Sequence, residues 1–142
     1  MALCGQEVMR IEGDNSWIEL VRREDDEEEF DVKCSVGEFS GRNGQIWIDA
    51  NEQRLLLEAL RSVERNRRGE ASLKTMSPEE FELVVRVVDL AGHVFVEGLI
   101  SKLHFSAHRH RYNRLLLKFG FEVAPTFLPQ VLWEADKLLA AA

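Results

Sequence analysis

Regular alternation of apolar and polar residues dominates residues 81–123 of the chain. Three apolar-rich segments follow one another there, and the first and third segments alternate with a period of two. This period places every second side chain on the same face of a β-sheet. The break at residues 90–93 supplies Gly92 where a tight turn requires positive φ. The pattern predicts a three-stranded antiparallel meander whose inner face forms the main core.

Shorter segments with the same period occupy the N-terminal third. Residues 7–11, 16–23 and 30–36 each predict a strand. Between the last two lies a run of six consecutive acids, which we call the acidic loop: Glu24, Asp25, Asp26, Glu27, Glu28 and Glu29. Because like charges repel one another and remain hydrated, the run belongs in a loop. The sequence therefore predicts a hairpin with a negatively charged tip.

A second hairpin and a helix are predicted next. Asn43 and Gly44 lie between apolar flanks, and this pair favours a type I′ turn because both residues accept positive φ. Asp49 and Glu52 have the spacing of a capping box. The helix that they start is predicted to continue to about residue 67, where Gly69 ends it.

The remaining elements complete an α+β pattern. Residues 71–76 predict a strand that Ser77 and Pro78 break, and apolar residues at helical spacing predict a final helix after residues 124–126. The order predicts a single domain over residues 1–142. We expect strand hairpins and the three-stranded meander to form an antiparallel sheet, with two helices packed on one of its faces.

Composition limits the class of protein. The chain has 142 residues, 45% of them hydrophobic and 30% charged, which is typical of a single soluble domain. It has no apolar run of about eighteen residues and no N-terminal secretory pattern, so we expect a cytoplasmic protein without membrane contact. Of the two cysteines, Cys4 and Cys34, the second lies in a predicted strand, where it is expected to be a small buried side chain.

The net charge of −7 is distributed unevenly. Residues 1–52 contain 14 acids and 5 bases, whereas residues 53–142 contain 11 acids and 13 bases. An acidic half of this size argues against direct binding of nucleic acid, which requires a basic surface. It is compatible with a basic protein partner.

The sequence contains few candidates for chemistry. His104, His108 and His110 could hold zinc if a loop brought them together, but the neighbouring Arg109 and Arg111 oppose a cation, and a solvated connector explains the stretch better. Glu97 could act as a general acid or base, although a single carboxylate in a strand is more often solvent-facing. Motifs of acyl transfer and of phosphate binding are missing from the sequence. We therefore expect neither a catalytic residue nor a cofactor.

Three pieces of the sequence occur in a familiar order. They are L-L-L-E-A-L, then D-L-A-G-H-V-F-V-E, then L-L-L-K-F-G-F-E-V-A-P-T-F-L-P-Q-V. Together they resemble the WapI-like immunity proteins and related small bacterial domains over roughly residues 45–139. The resemblance implies a small non-enzymatic cytoplasmic protein that binds and neutralises a cognate toxin domain. Because such toxins are often basic nucleases, the leading hypothesis places the contact at the acidic loop.

Two other functions remain open at this point. The first is a metal-binding protein or metal-dependent enzyme that uses His104, His108 and His110. The second is a non-enzymatic interaction domain that forms a homodimer through an exposed sheet edge.

Overall fold

A computed structural model of the chain describes residues 7–75 and 80–139. Their strands form two four-stranded antiparallel sheets, each a simple meander followed by a helix. The first half contains β1 (Val8–Gly13), β2 (Ser16–Arg22), β3 (Glu29–Val36), β4 (Phe39–Trp47) and α1 (Ala50–Asn66). The second half contains β5 (Glu70–Lys74), β6 (Phe81–Val87), β7 (Val94–Ser106), β8 (Arg111–Val123), a short 3-10 turn at Pro125–Phe127 and α2 (Leu128–Leu139).

The α+β class predicted from the sequence is confirmed, with the strands divided between two sheets. The predicted meander is also confirmed as β6, β7 and β8, and the turn between the first two contains Gly92 at φ 85°. The predicted break at Ser77 and Pro78 lies outside the described residues.

The hairpin predicted at Asn43 and Gly44 is wrong, because both residues lie inside the continuous strand β4. The turn that joins β3 to β4 is at Gly37, whose φ is 62°. Asn43 is buried, its Nδ2 donates to the carbonyl of Ser101 at 2.7 Å, and its Oδ1 accepts from the amide of Gln45 at 2.9 Å. These bonds satisfy a buried amide within the strand and link β4 to β7, and they outweigh the local preference for a turn.

The capping box predicted for α1 is confirmed. Asp49 Oδ1 accepts from the amide of Glu52 at 2.7 Å, and Glu52 Oε1 accepts from the amide of Asp49 at 3.3 Å. The end of the helix differs from the prediction, because Arg67 adopts the left-handed conformation at φ 54° and caps the helix. Gly69 follows two residues later, at φ 85°. The amide of Arg67 donates to the carbonyl of Val63 at 2.8 Å, so the helix ends two residues before the glycine.

One core cluster includes residues from both sheets and both helices. At one junction β1 approaches β8 so closely that a Cβ on Gly13 would lie 2.3 Å from the carbonyl oxygen of Glu122. Cys34 is buried as expected, and burial raises the pKa of its thiol to about 11, so the thiol stays protonated at neutral pH. Cys4 lies outside the described residues.

Candidate functional site

The six residues of the acidic loop fall into two groups. Glu24, Asp25 and Glu27 are exposed, whereas Asp26, Glu28 and Glu29 are partly buried. The loop joins β2 to β3, so the predicted hairpin with a negative tip is present in the structure. Only the exposed group is placed to meet a partner without rearrangement.

The side chains of two partly buried acids, Asp26 and Glu28, bind the protein's own backbone. Glu28 Oε2 accepts from the amide of Ala50 at 2.7 Å, which places a carboxylate at the N-terminus of α1, where a negative charge is favourable. Asp26 Oδ1 accepts from the amide of Glu28 at 2.9 Å and closes a turn within the loop. The loop is therefore a structural part of the start of α1 as well as a charged tip.

Gln53, on the first turn of α1, is fully buried and connects the loop to the fold. Its Nε2 donates to the carbonyl of Glu27 at 3.1 Å and to the carbonyl of Ile48 at 2.8 Å. Its Oε1 accepts from Arg22 Nη2 at 3.0 Å. Because a buried amide with all these bonds has one favoured position, the backbone of the loop is held against α1.

Arg23 lies at the base of the loop and partly balances its charge. Its Nε is 3.7 Å from Asp25 Oδ1 and 3.8 Å from Glu29 Oε2, and its Nη1 donates to the carbonyl of Gly44 at 3.1 Å. Ion pairs of this length between solvated side chains are weak. The surface around the loop remains predominantly negative, because one arginine faces several carboxylates.

A shallow cleft of about 530 Å³ opens beside the loop, on the outer face of the first sheet. Its lining includes the apolar residues Val8 and Val21 and the acids Glu24 and Asp25. Arg22, Arg23 and Lys33 also line the cleft, so it presents both signs of charge.

The histidines of the zinc hypothesis are not brought together. His104 lies in β7 opposite Asn113, and His108 and His110 lie in the turn that follows, all of them exposed. Among residues 7–75 and 80–139 there is no group of three or more His, Cys, Asp or Glu side chains that could hold a metal ion. Glu97, the other candidate for chemistry, forms an ion pair with Arg86 on the outer face of the second sheet.

Residues 104–111 are predicted from the sequence to be a polar connector, but half of that stretch is strand. β7 extends to Ser106 and β8 starts at Arg111, so only four residues form the turn. Leu103, Phe105 and Tyr112 are about half exposed or more on the resulting hairpin. The apolar residues that flank the histidines were the available signal for a longer hairpin.

The structure is thus a small α+β protein with an acidic loop held by Gln53 and a long exposed hairpin formed by β7 and β8. The chain belongs to the WapI-like immunity protein family, because the family model matches residues 10–142, nearly the whole chain. The predicted resemblance is thereby confirmed and extends further toward the N-terminus than the quoted pieces. The comparisons found no matching curated protein and no matching solved structure.

Membership of this family indicates an immunity function directed against a toxin, and it points to binding rather than to enzymatic catalysis. Within the described part of the chain, no helix has both the length and the apolar character needed to cross a membrane.

Proposed function

We propose that this chain neutralises a cognate toxin domain by binding it and covering its active or substrate-binding surface. Family membership supports the immunity role. We place the contact at the acidic loop because Gln53 hydrogen-bonds to the backbone of the loop and holds it in one position. The side chains of Glu24, Asp25 and Glu27 are exposed on this fixed backbone. A surface that is already ordered loses little conformational entropy when it binds.

The charge of this surface suits a basic toxin domain, such as a nuclease. Enzymes that bind nucleic acid contact its phosphates with Lys and Arg side chains, and a row of carboxylates on an inhibitor can form ion pairs with the same side chains. The first 52 residues contain nine more acids than bases, so the negative field extends well beyond the loop. A complementary field accelerates encounter between the partners and weakens as salt is added.

The immunity role is tested by capture from the native organism with the tagged full-length chain. Washes at about 0.05 M and about 1 M salt distinguish a screened electrostatic contact from an apolar one. We expect one stoichiometric partner with a basic toxin domain, whose activity falls to zero at an equimolar amount of this chain. A stoichiometric partner whose activity does not change, or no such partner at either salt concentration, would overturn the proposal.

The placement is tested separately with two triple variants of equal charge change. The loop variant replaces the exposed acids: Glu24→Ser, Asp25→Ser and Glu27→Ser. The control variant replaces exposed acids at the opposite end of the first sheet or beside it: Asp14→Ser, Glu38→Ser and Glu122→Ser. Both variants lose three negative charges, so only the position of the change differs.

Stopped-flow association with the captured toxin domain, over a series of salt concentrations, provides the comparison. We expect the loop variant to associate about tenfold more slowly at low salt and to show a flatter dependence on salt, because local steering is lost. The control variant should remain within about twofold of the wild type. Equal rates for the two variants would remove the contact from the loop while leaving the immunity role intact.

A further inference from the structure

The hairpin of β7 and β8 extends beyond the rest of the second sheet. β6 ends its register with β7 at Phe81, opposite Ile100, whereas β7 and β8 remain paired as far as Ser106 and Arg111. We call residues 101–116 the arm. Six residue pairs at about 3.3 Å each give the arm a length of roughly 20 Å. Beyond Ser101, the described strands of the arm pair only with each other.

Positive charge is concentrated on this hairpin. Residues 98–121 contain five of the chain's 18 Lys and Arg residues and none of its 25 acidic residues. The segment therefore has a charge of +5 in a chain whose net charge is −7. Four of these cations lie in the arm: Lys102, Arg109, Arg111 and Arg114. A cationic surface without acids is complementary to a polyanion.

The acids of the second sheet nearest to the arm lie at its base or below it. The carbonyl of Glu80 accepts from the amide of Ser101 at 2.9 Å, so Glu80 lies at the base, roughly 20 Å from the tip. Glu97 and Glu122 lie further down the sheet, opposite Gly120 and Phe95. The Debye length is about 10 Å at 0.1 M salt, so a ligand near the tip is screened from these acids.

The foot of the arm carries both signs of charge and is not part of the site. A shallow depression of about 220 Å³ lies there on the outer face of the second sheet. Its lining includes Glu82, Glu97, Arg86 and Lys118, and Arg86 is paired with Glu97. Because the charges at the foot largely balance, the positive field belongs to the arm.

Two aromatic rings lie next to the tip of the arm. Residues that pair across an antiparallel ladder share a face, and Phe105 pairs with Tyr112 on the outer face of the sheet. Their ring centroids are 5.0 Å apart, and the rings are tilted by 46°. Phe105 is 48% exposed and Tyr112 is 67% exposed. Exposed rings of this kind are surfaces on which unpaired bases stack.

Cations lie on every side of these rings. Arg114 is the next residue of β8 on the outer face, about 7 Å along the strand from Tyr112, and its Nη1 donates to Ser101 Oγ at 2.9 Å. Lys102 and Arg111 lie on the opposite face, and Arg109 lies in the turn at the tip. A flexible polyanion can follow cations on both faces and around the tip, whereas a rigid protein surface meets one face at a time. This distribution favours a nucleic acid strand over an acidic protein.

We propose that the arm binds single-stranded nucleic acid, with bases stacked on Tyr112 and Phe105 and phosphates beside the cations of the arm. The binding should depend little on sequence, because phosphate contacts and stacking are common to all bases. The argument from composition against nucleic acid rests on residues 1–52, and the arm lies outside them. The proposal does not depend on the toxin contact, because the acidic loop belongs to the other sheet.

Fluorescence anisotropy of labelled strands of about twelve nucleotides tests this binding with the full chain. Oligo(U) and oligo(dT) compare RNA with DNA, and a duplex of the same length tests the need for unpaired bases. We expect a dissociation constant between about 1 and about 100 μM at 0.1 M salt for both single strands. With three or four phosphate contacts, the logarithm of the binding constant should fall against the logarithm of salt with a slope of about −2 to −3.

Two variants separate the contribution of charge from that of stacking. The charge variant carries Arg109→Ser and Arg111→Ser, and its control carries Arg65→Ser and Arg68→Ser, two exposed arginines at the end of α1 and just after it. The ring variant carries Phe105→Leu and Tyr112→Leu, which keep the arm apolar but remove the aromatic faces. Thermal unfolding of each variant establishes that it is folded under the conditions of the experiment.

The two variants should weaken binding in different ways. The charge variant should bind at least about fivefold more weakly with a salt slope reduced by about 1, whereas its control should stay within about twofold of the wild type. The ring variant should bind about tenfold more weakly with an unchanged slope, because stacking releases no counterions. The duplex should bind more weakly than either single strand.

Four results would each overturn the proposal. They are no binding up to about 200 μM at low salt, a charge variant that equals its control, a ring variant that equals the wild type, and a duplex that binds as tightly as the single strands. A poly-glutamate peptide that displaces the strands at the same concentration of charge would instead assign the arm to an acidic protein partner.

Discussion

At the scale of single residues, an ionisable pair closes the turn between β6 and β7. His93 Nδ1 lies 2.7 Å from Asp89 Oδ2, and the amide of His93 donates to Asp89 Oδ1 at 3.1 Å. The hydrogen bond between the imidazole of His93 and the carboxylate of Asp89 raises the pKa of His93 and lowers the pKa of Asp89. Because the pair lies on the surface, its contribution to stability is small and depends on pH.

The direction of the pH dependence follows from these shifts. The stabilisation from His93 is complete below its unfolded pKa of about 6.5 and is lost as pH rises through the higher folded pKa. The stabilisation from Asp89 is complete above its unfolded pKa of about 3.9 and is lost as pH falls through the lower folded pKa. The pair should therefore stabilise the turn most between about pH 4 and about pH 6.5.

An NMR titration of the imidazole resonances checks this prediction. We expect the pKa of His93 to lie above about 6.5 and to decrease in the variant Asp89→Asn, because the charged partner is removed. The variant His93→Gln identifies the resonance by its loss. A titration of His93 that does not respond to the loss of the Asp89 charge would contradict the assigned pairing.

Single residues also show where prediction from sequence succeeds. Asp49 and Glu52 were assigned correctly, because a capping box depends on residues only three positions apart. Asn43 and Gly44 were assigned wrongly, because the bond from Asn43 to the carbonyl of Ser101 joins residues distant in sequence. Local signals cannot anticipate a buried polar side chain whose partner lies on the other sheet.

At the scale of elements, the acidic loop and the start of α1 form one unit. Prediction from sequence found the loop, the charge and the helix separately, because each follows from a local pattern. It missed that Glu28 binds the N-terminus of α1 and that Gln53 holds the backbone at Glu27. The six acids therefore do not act alike, although their sequence gives no sign of the difference.

Two alanine variants separate the structural acids from the exposed ones. Glu28→Ala removes the acceptor for the amide of Ala50 and a favourable charge at the helix N-terminus, so we expect a loss of about 1 kcal/mol in the free energy of unfolding. Glu27→Ala removes an exposed side chain and should change it by less than about 0.5 kcal/mol. Urea denaturation measures both. Equal midpoints for the two variants would show that Glu28 does not support the helix.

At the scale of the whole molecule, close contacts between the two sheets unite the halves of the chain. The meander of β6, β7 and β8 and the α+β class were predictable, because alternation identifies strands wherever one face is buried. The division into two sheets was not, since pairing between strands depends on contacts that the pattern does not record. Gly13 lies at one such contact, against the backbone of Glu122.

A pair of glycine variants tests this junction. A Cβ on Gly13 would meet Glu122 and Phe121 at 2.3 and 2.8 Å, so Gly13→Ala should lower the free energy of unfolding by about 1–3 kcal/mol. A Cβ on Gly44 would have its nearest neighbour, Asp31 Oδ1, at 3.8 Å, so Gly44→Ala should be nearly neutral. Thermal unfolding compares the two. A Gly13→Ala protein as stable as the wild type would mean that the sheets are not in close contact here.

The immunity function is a property of the whole molecule, and protection of living cells tests it most directly. The toxin domain of the captured partner is expressed in a sensitive bacterium together with the wild-type chain, the loop variant or the control variant. The wild type and the control variant should restore growth. The loop variant should require higher expression for the same protection, because its association is slower. Growth arrest that persists with the wild-type chain at equal or greater expression would contradict the account.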